Sequence, residues 1–519
     1  MRNISVNLFL ICLFLIGTAN LYSATFSGGD GTTIPYQITY LADIEELADS
    51  VNLGVTSFLG KSFELTADII DSVRTMIGND VYYFQGLLNG NNKRITLALD
   101  YIDSLNRYVG LFSQLGDGGS IYNLIVDGYV IGGASSRCVG GFAGFSTGIA
   151  FWYCTNLSDI TGESPTSSVG GIVGAAVGIG NGDGEFVYCI NNGTITGGRY
   201  VAGIIGCATD ISGEDATMQH CKNAGTIRGI GSNYSSYIAG IIAFCGGDNV
   251  FNIALNLVNI GNIEGNNYDY ASGIIAYFER GRLSVGSNSG IVEGARITHS
   301  GIVAYVGIDV RVSGFINTNW IEPIGNAGAI VGINDGQVDS CYFDEQMCIV
   351  DDIGINRGIS ISVSGFPTVG MIGISLRSLL PSIGSYSWPP SSFMHPQLYP
   401  VLDNSGHPIY LLAAAPIYLP TGQKVDNVTN DFWVSNENMY PPPFFTPPAI
   451  TLLSPYYFQW GWYNPYKQFS LYNYVEILTP NIATIRSRLG WDSLAVRLTN
   501  HPTDTNYRIY EKVVPIYVR

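Results

Sequence analysis

The chain has 519 residues, with 24 Lys and Arg against 41 Asp and Glu, and a formal net charge of −17. This excess of negative charge argues against nucleic acid or an anionic membrane surface as the main partner. With 46% hydrophobic and 13% charged residues, the chain does not have the composition of a disordered protein, and we expect folded domains with a buried core.

The first 24 residues have the features of a secretory signal peptide. Arg2 gives a positive start, and an apolar run from Leu8 to Ile16 is followed by Gly17 and small residues. The run is too short to span a bilayer. Ile11 precedes Cys12 where a lipoprotein signal needs a small residue, so no lipid anchor is predicted. We therefore expect an exported protein, extracellular or on the surface of a bacterium, with no transmembrane segment in the mature chain.

Residues 40–51, YLADIEELADSV, carry the strongest helical pattern in the chain. Ile44, Leu47, Ala48 and Val51 share one helical face, and Asp43 is placed to cap the N-terminus. We expect this helix to cover the open end of a stack of strands, where uncovered strand edges promote aggregation.

Two short phrases recur together at intervals of 28 to 37 residues. In the first, a glycine precedes a pair of apolar residues, as in VGGIVG at 169–174; this position holds Gly110, Gly141, Gly171, Gly203, Gly240, Gly273, Gly301 and Ala329. The second phrase, as in CINNGTITG at 189–197, contains an asparagine at Asn156, Asn191, Asn223, Asn259, Asn288 and Asn317. Two markers that share one period indicate a repeat architecture.

The repeat predicts an all-β fold, a parallel β-solenoid (a right-handed β-helix) of about nine coils over residues 25–350, with coils ~4.8 Å apart. No unit carries a helical stripe, and glycine or Asn-Gly follows each β-branched run. We expect the glycine pair to turn the chain at a corner, through positive φ or close backbone approach. The asparagines are predicted to form a hydrogen-bonded ladder; a calcium or sugar ligand is the less favoured interpretation.

Eight cysteines follow the predicted leader, and Cys154, Cys189, Cys221 and Cys341 occupy one position of the repeat. A buried row of free thiols is the favoured interpretation, because cysteine is among the most buried residue types. Disulfides, which an exported chain can form, are the alternative. Since no CxxC occurs and no His stands beside a Cys pair, no metal site is expected.

The phrases VGGIVG and CINNGTITG resemble the GLUG repeat of bacterial secreted and surface proteins. The segments GGDGTTIPYQITYLADIEELADSVN at 28–52, FQGLLNG at 84–90 and CYFDEQMC at 341–348 resemble the entry and closing phrases of such proteins. The resemblance covers about residues 26–400 and implies an exported β-helix-like domain without a common activity or catalytic residues. The copies diverge after residue 250, where Leu257, Gly286 and Phe315 replace the cysteine.

The repeat pattern is lost after about residue 350, and the residue composition changes. Residues 351–407 are interpreted as a tail and linker, and residues 408–519 as a small antiparallel β-sandwich that is immunoglobulin-like in texture only, since it contains no cysteine. Its stretch at 440–466 is rich in proline and aromatic residues. Tyr456, Trp460 and Trp462 are the candidate ligand-binding aromatics there, for a sugar or a protein; a role in the sandwich core is the favoured alternative.

No catalytic, cofactor-binding or metal-binding residues are predicted. Acidic residues stand close together at five places, but none recurs on a strand with a His or Lys partner: Asp68 with Asp71, Asp100 with Asp103, Asp183 with Glu185, Asp351 with Asp352, and Glu279 beside Arg280 and Arg282. His220 and His299 lie at different positions of the repeat. The loop GNGDGE at 180–185 is calcium-friendly but lacks at least two acidic positions of an EF-hand.

The sequence thus favours a secreted or surface structural protein, adhesin-like, that presents a binding surface to an extracellular protein or glycan without catalysis. The alternative is a carbohydrate-binding or polysaccharide-cleaving β-helix module. Cleavage would need paired carboxylates on one face of the solenoid.

Overall fold

The computed structural model describes residues 26–380, apart from 149, 179–184, 210–216, 232–234, 248–252, 346, 349, 368–369, 372–375 and 377–378. Beyond residue 380 it describes the backbone of ten short strands. The predicted signal peptide, residues 1–24, lies outside the described residues.

A parallel β-solenoid of about ten coils occupies residues 36–366, which confirms the predicted fold class. Its 34 strands form one continuous sheet, in which each strand pairs in parallel with the equivalent strand of the next coil. The stack continues past the predicted limit at residue 350, because the last two strands, at 353–356 and 359–366, pair with the coil before them.

The short strands stack into five rows along the solenoid axis. Row 1 contains β5 (Tyr108–Val109), β8 (Cys138–Gly140), β13 (Ser168–Gly170), β18 (Tyr200–Ala202), β23 (Tyr237–Ala239) and β30 (Asn326–Gly328). Row 2 contains β6 (Phe112–Leu115), β9 (Ala143–Thr147), β14 (Val173–Val177), β19 (Ile205–Thr209), β24 (Ile242–Gly246), β31 (Val331–Asn334) and β33 (Ile353–Asn356). Row 3 contains β1 (Tyr36–Ile38), β2 (Ser62–Leu65), β10 (Ala150–Trp152), β15 (Glu185–Val187) and β20 (Thr217–Gln219).

Row 4 contains β3 (Ile69–Val73), β11 (Thr155–Asn156), β16 (Ile190–Asn191) and β21 (Lys222–Asn223), and row 5 contains β12 (Asp159–Gly162), β17 (Ile195–Gly197) and β22 (Ile227–Gly229). Longer strands pass from one row into the next: β4 (Leu87–Tyr101), β7 (Ser120–Gly132), β25 (Ile253–Asn259), β26 (Ile263–Ser272), β27 (Ile275–Asn288), β28 (Val292–Ser300), β29 (Val303–Asn317), β32 (Gln337–Asp344) and β34 (Ile359–Phe366).

The predicted asparagine ladder runs through the interior of six coils. The amide nitrogens of the first five asparagines donate to the amide oxygen of the next coil, over 2.7 Å from Asn156 to Asn191 and 2.8 Å from Asn191 to Asn223. The same nitrogen also donates to a carbonyl two residues on, at 3.0 Å for Asn191 and Gly193. All six asparagines are fully buried, so the ladder satisfies polar groups that would otherwise be costly inside the core.

Close approach, rather than positive φ, explains the recurring glycine. None of the six glycines from Gly141 to Gly301 has a left-handed φ. A Cβ added to Gly141 would lie 2.6 Å from the Gly171 carbonyl oxygen and 2.7 Å from Oδ1 of Asn156. The backbone and the amide ladder therefore leave no room for a side chain. Where the ladder ends and Phe343 takes the asparagine position, Ala329 takes the glycine position.

The cysteine row is also found in the core. Cys154, Cys189, Cys221 and Cys341 are fully buried, and all eight cysteines that follow residue 24 are free thiols. The register places Leu257, Gly286 and Phe315 in the same row, as the decay of the repeat predicted. Burial raises the pKa of the Cys341 thiol to about 12 and that of Cys189 well above its usual range.

Helix α1 (Leu41–Asn52) packs on β1 and β3, at the N-terminal end of the solenoid, as predicted. Its predicted apolar face is buried. Asp43 differs from the expectation, because it stands at the third helical position rather than at the N-cap. Its carboxylate accepts from the backbone nitrogens of Tyr40 at 2.9 Å and Thr39 at 2.8 Å, and from both the backbone and the hydroxyl of Ser27.

The strands beyond residue 380 form further sheets. A hairpin joins β35 (Ser382–Ile383) to β36 (Tyr386–Ser387). The predicted β-sandwich region holds one sheet of five strands and one of three: β37 (Ile417–Leu419), β38 (Thr429–Trp433), β39 (Tyr457–Tyr463), β40 (Phe469–Leu471), β41 (Glu476–Thr479), β42 (Ile482–Arg486), β43 (Ser493–Thr499) and β44 (Arg508–Val518). All pairs are antiparallel except β37 with β44. The packing of the two sheets as a sandwich stays a prediction.

The amide ladder makes a mutation in its middle costly. We expect Asn223→Ala to lower the free energy of unfolding by about 3 kcal/mol, because it removes two donated bonds and leaves a buried amide oxygen of Asn259 unsatisfied. Asn192→Ala, at the exposed neighbouring position, should change it by less than about 0.5 kcal/mol. Denaturant unfolding of both variants measures the difference, and equal stabilities would contradict a structural role for the ladder.

The buried thiols predict selective reactivity. In the folded chain we expect a thiol-specific reagent near pH 8 to modify Cys207, which is partly exposed, while the buried cysteines react only after unfolding. The reagent needs the thiolate, and burial holds the thiol pKa values of Cys189 and Cys341 high. Mass spectrometry of the modified protein identifies the sites, with a guanidinium-unfolded sample as the control. Rapid modification of Cys189 or Cys221 in the folded protein would argue against the buried row.

Candidate functional site

Rows 1 and 2 meet in a crease on the outer surface of the solenoid. Between them the phrase VGGIVG at 169–174 is buried throughout, and Val169, Ile172 and Val173 belong to the core. A Cβ on Gly174 would lie 2.7 Å from the carbonyl oxygen of Gly144 in the neighbouring coil. Where the outward side chains of the two rows are aromatic, they meet above small residues such as Ala202, Ala239 and Ala243.

Aromatic side chains fill the crease over four coils. We call this cluster the tyrosine face, and its members are Tyr200, Tyr237 and Tyr270 in row 1 and Phe244, Tyr277 and Tyr305 in row 2. Rings within a row stack on each other, at 5.2 Å between the centroids of Tyr237 and Tyr270 and 4.6 Å between those of Tyr277 and Tyr305. Rings of opposite rows meet edge to face, as Tyr237 and Tyr277 do at 5.4 Å.

The tyrosine face forms a small hydrophobic cluster that is separate from the main core. Its rings cover alanines at the bottom of the crease, among them Ala202, Ala239, Ala243 and Ala276. Tyr237 at the centre retains 8% of its exposure, while the other rings are half-buried. Because stacking covers the ring faces, the edges and hydroxyls of the outer rings are the parts that a partner can touch.

Charged groups border the tyrosine face at both ends. The guanidinium of Arg199 lies over the Tyr200 ring, 4.7 Å from its centroid. At the other end the Tyr305 hydroxyl donates to Oδ2 of Asp335 at 3.0 Å, and Arg357 pairs with the same carboxylate. Burial, followed by the bond to Asp335, raises the pKa of Tyr305 to about 12. Burial also raises the pKa of Tyr237, and neighbouring tyrosines add to the effect.

Sequence reasoning missed this cluster, although a signal was present. The tyrosines of row 1 occur in the phrases RYVAG at 199–203, SYIAG at 236–240 and DYASG at 269–273, always three residues before the recurring glycine. A search for aromatic residues at a constant position of the repeat would have found them. The core pattern drew attention instead, because it recurs in every coil.

A second aromatic stack lies at the corner between rows 3 and 4. In five consecutive coils one residue there has a left-handed backbone: Asn123, Tyr153, Tyr188, His220 and Asn256. The rings of Tyr153 and Tyr188 are parallel at 4.8 Å, and those of Tyr188 and His220 at 4.5 Å. Nδ1 of His220 lies 2.8 Å from the amide nitrogen of Asn256. Burial lowers the pKa of His220.

The predicted ligand-binding aromatics lie in the C-terminal sheets. Trp460 and Trp462 occupy alternate positions of β39, where their backbones pair with Val496 and Leu494 of β43. Tyr456 lies outside the described residues. Neither the proposed binding role of these three residues nor the alternative in a sandwich core is tested by the backbone alone.

The predicted acidic pairs mostly hold the backbone. Asp68 accepts from the Arg94 backbone nitrogen at 2.9 Å, and Glu279 accepts from that of Gly247 at 3.1 Å. Glu185 accepts from the Trp152 indole nitrogen at 2.9 Å. Residues 179–184, which contain most of the calcium-friendly loop, lie outside the described residues. Within the described part of the chain, no three His, Cys, Asp or Glu side chains are grouped to hold one metal ion.

The two histidines of the repeats do not meet. His299 is fully buried in row 1, where Nε2 accepts from the backbone nitrogen of Ala295 at 2.8 Å and lies 3.1 Å from Oε2 of Glu322. Nδ1 faces the Ile324 carbonyl oxygen at 3.0 Å. His220 belongs to the corner stack. The structure therefore brings no catalytic pair together from these residues.

The chain is similar to a known protein over a short stretch. No family model matches the chain. A "Putative Gly-rich membrane protein" of Evansella cellulosilytica is 31% identical over 132 residues. The match covers 24% of this chain and 15% of that protein. Among the described residues, no helix has both the length and the apolar character needed to cross a bilayer.

Among solved structures, the chain is similar to a "putative immunoglobulin A1 protease" from Bacteroides ovatus. The likeness has a TM-score of 0.35 and 17% identity, and it covers 73% of this chain and 95% of that one. At this TM-score the likeness supports no argument about activity.

The raised pKa values of the tyrosine face predict its alkaline titration. A group whose pKa is higher in the folded than in the unfolded state stabilises the fold fully below its unfolded value, near pH 10, and this stability is lost as the pH rises through the folded pKa. We expect a class of tyrosines that ionises at about pH 12 or above, followed by unfolding. The ultraviolet absorbance of tyrosinate measures it. Tyr305→Phe should remove one member of the class; an unchanged titration would contradict the assignment.

Proposed function

We propose that this protein is an exported surface rod of a bacterium that binds an extracellular protein through the tyrosine face. The observation that carries the proposal is the cluster of half-buried tyrosines on the outer surface of an otherwise structural solenoid. The amide ladder, the cysteine row and the glycines are all explained by stacking, but stacking does not require tyrosines on the outside.

The composition of the tyrosine face supports a protein as the partner. Tyr and Arg are enriched at the centres of protein interfaces, and energetically dominant residues cluster there. Tyr277 and Tyr305 present edges and hydroxyls, and Arg199 and Arg357 stand at the borders. The rigid rows hold these side chains in place, so little rotamer entropy remains to be lost on binding.

Three sequence observations support export and a surface location. The first 24 residues resemble a signal peptide, the repeats resemble GLUG repeats of secreted and surface proteins, and a distant relative is described as a membrane protein. The proposal contains no catalytic step, since the acidic residues that the sequence singled out mostly hold backbone groups.

An array of purified extracellular proteins (fibronectin, collagen, fibrinogen, mucin and immunoglobulins) tests the proposal. We expect residues 25–519 to bind at least one of them, and the double variant Tyr277→Ser with Tyr305→Ser to lose affinity by about tenfold or more, as interface tyrosines do. Tyr129→Ser, at a tyrosine of row 5 that is 38% exposed, is the matched control. Circular dichroism confirms that each variant is folded.

Two results would overturn the proposal. One is a folded protein that binds none of these targets; the other is binding that the double variant and the control reduce equally. Protease shaving of intact cells tests the location separately, because a surface rod is cleaved without lysis.

A further inference from the structure

The corner stack ends at Tyr153, whose ring has a stacked aromatic neighbour on one side, Tyr188. Tyr188 covers one face of Tyr153, with the two rings 6° from parallel. On the other side the same corner of the neighbouring coil holds Asn123, which is not aromatic. Its amide donates to Oδ1 of Asn89, one coil further away, at 3.3 Å. Tyr153 is 54% exposed, and the ring face opposite Tyr188 is turned toward the coil of Asn123 rather than toward another ring.

The polar surface beside this ring is built by four consecutive coils in register. Glu64, Asn89, Tyr122 and Trp152 occupy equivalent outward positions of row 3, each paired with the next. They supply a carboxylate, an amide and a phenol hydroxyl, followed by an indole whose nitrogen is held by Glu185. With coils ~4.8 Å apart, these groups lie within about 15 Å along the axis.

The corner itself does not require a tyrosine. A left-handed backbone is unfavourable for large side chains and is tolerated best by glycine and asparagine. The chain uses asparagine at this corner in Asn123 and Asn256, and glycine in Gly314. The left-handed backbone at Tyr153 is therefore less favourable for tyrosine than for the asparagine or glycine that other coils have at this corner. Tyr153 stands where the aromatic stack meets the polar surface.

We propose that the ring face of Tyr153 opposite Tyr188, with Tyr122, Trp152, Asn123 and Asn89 around it, is a binding subsite for an uncharged saccharide. An aromatic face of this kind packs against the apolar C–H face of a pyranose, while amides, a hydroxyl and a carboxylate accept and donate hydrogen bonds to sugar hydroxyls. The spacing of the row 3 groups along the axis suits a short oligosaccharide that lies in the same direction. This subsite is separate from the tyrosine face, where neighbouring rings cover each other.

The charge of the subsite selects the class of sugar. Its named groups include the carboxylate of Glu64 and no Lys or Arg, and the chain carries a net charge of −17. A uronate or another anionic saccharide would be repelled at this surface, whereas a neutral one would not. The subsite is therefore assigned to uncharged sugars such as gluco-, manno- or xylo-oligosaccharides.

Binding of neutral hexasaccharides of glucose, mannose and xylose, with polygalacturonate as the anionic comparison, tests the assignment by calorimetry on residues 25–519. The decisive variant is Tyr153→Asn, because asparagine occupies the same corner in two other coils and removes the ring without disturbing the backbone. Tyr153→Phe keeps the ring, and Tyr129→Asn removes a tyrosine that is 38% exposed elsewhere on the rod. Thermal unfolding checks that every variant is folded.

We expect at least one neutral hexasaccharide to bind, Tyr153→Asn to weaken that binding by about tenfold, and Tyr153→Phe and Tyr129→Asn to stay within about twofold of the parent. Three results would each overturn the assignment: no neutral hexasaccharide binds the folded protein, polygalacturonate binds more tightly than the neutral sugars, or Tyr153→Asn binds as the parent does. A failure to bind proteins through the tyrosine face would leave these outcomes unaffected.

Discussion

The chain of amide hydrogen bonds inside the solenoid is the constraint on which the other features depend. Five of the six asparagines use one N–H along the axis and the other on their own coil, so the two donors fix both the distance and the register between coils. A strand that slipped by one residue would turn a buried amide outward and an outward side chain into the core. The glycines follow from the same bonds, because the amide and the neighbouring carbonyl occupy the space of a Cβ. Phe343 and Ala329 replace the two residues together in the coil after Asn317. Gly110 keeps its glycine beside Val126, because there the carbonyl of Gly140 alone would lie 2.7 Å from a Cβ.

Fixed rows coexist with variable connections. The interval between equivalent glycines varies from 28 to 37 residues, yet every row stays in register. The variation falls between rows: β14 ends at residue 177 and β15 begins at 185, whereas β27 runs without a break from row 2 into row 4. Length is therefore absorbed outside the ladder, where loop closure costs little. The tyrosine face lies on rows 1 and 2, and the corner stack lies directly between rows 3 and 4, so both keep the spacing of the rows.

The sequence alone predicts the inside of this molecule better than its outside. Core positions must repeat because each coil packs on the next, and Asn223, Cys189 and Gly203 could therefore be assigned from spacing. The spacing could not decide whether the glycines are needed for a positive φ or for close approach, because that depends on where the neighbouring amide and carbonyl groups lie. Outward positions are free to vary, so the tyrosine that precedes the glycine by three residues recurs at Tyr200, Tyr237 and Tyr270 but not in every coil, which makes its signal weaker than that of the core. The corner residue Tyr153 was hidden for another reason: its left-handed backbone breaks the inside–outside alternation by which strand residues are assigned to a face.

The left-handed corner has a consequence for how such a surface changes over evolutionary time. Across the stack the corner position accepts amide, phenol, imidazole and hydroxyl side chains on the same left-handed backbone, at Asn123, Tyr188, His220 and Ser340, and in one coil the buried aliphatic side chain of Val285. One substitution there replaces a chemical group at a defined point on a lattice and leaves its neighbours where they were. The outward corner side chains can therefore change one coil at a time, and the recognition properties of this surface can change while the solenoid still folds.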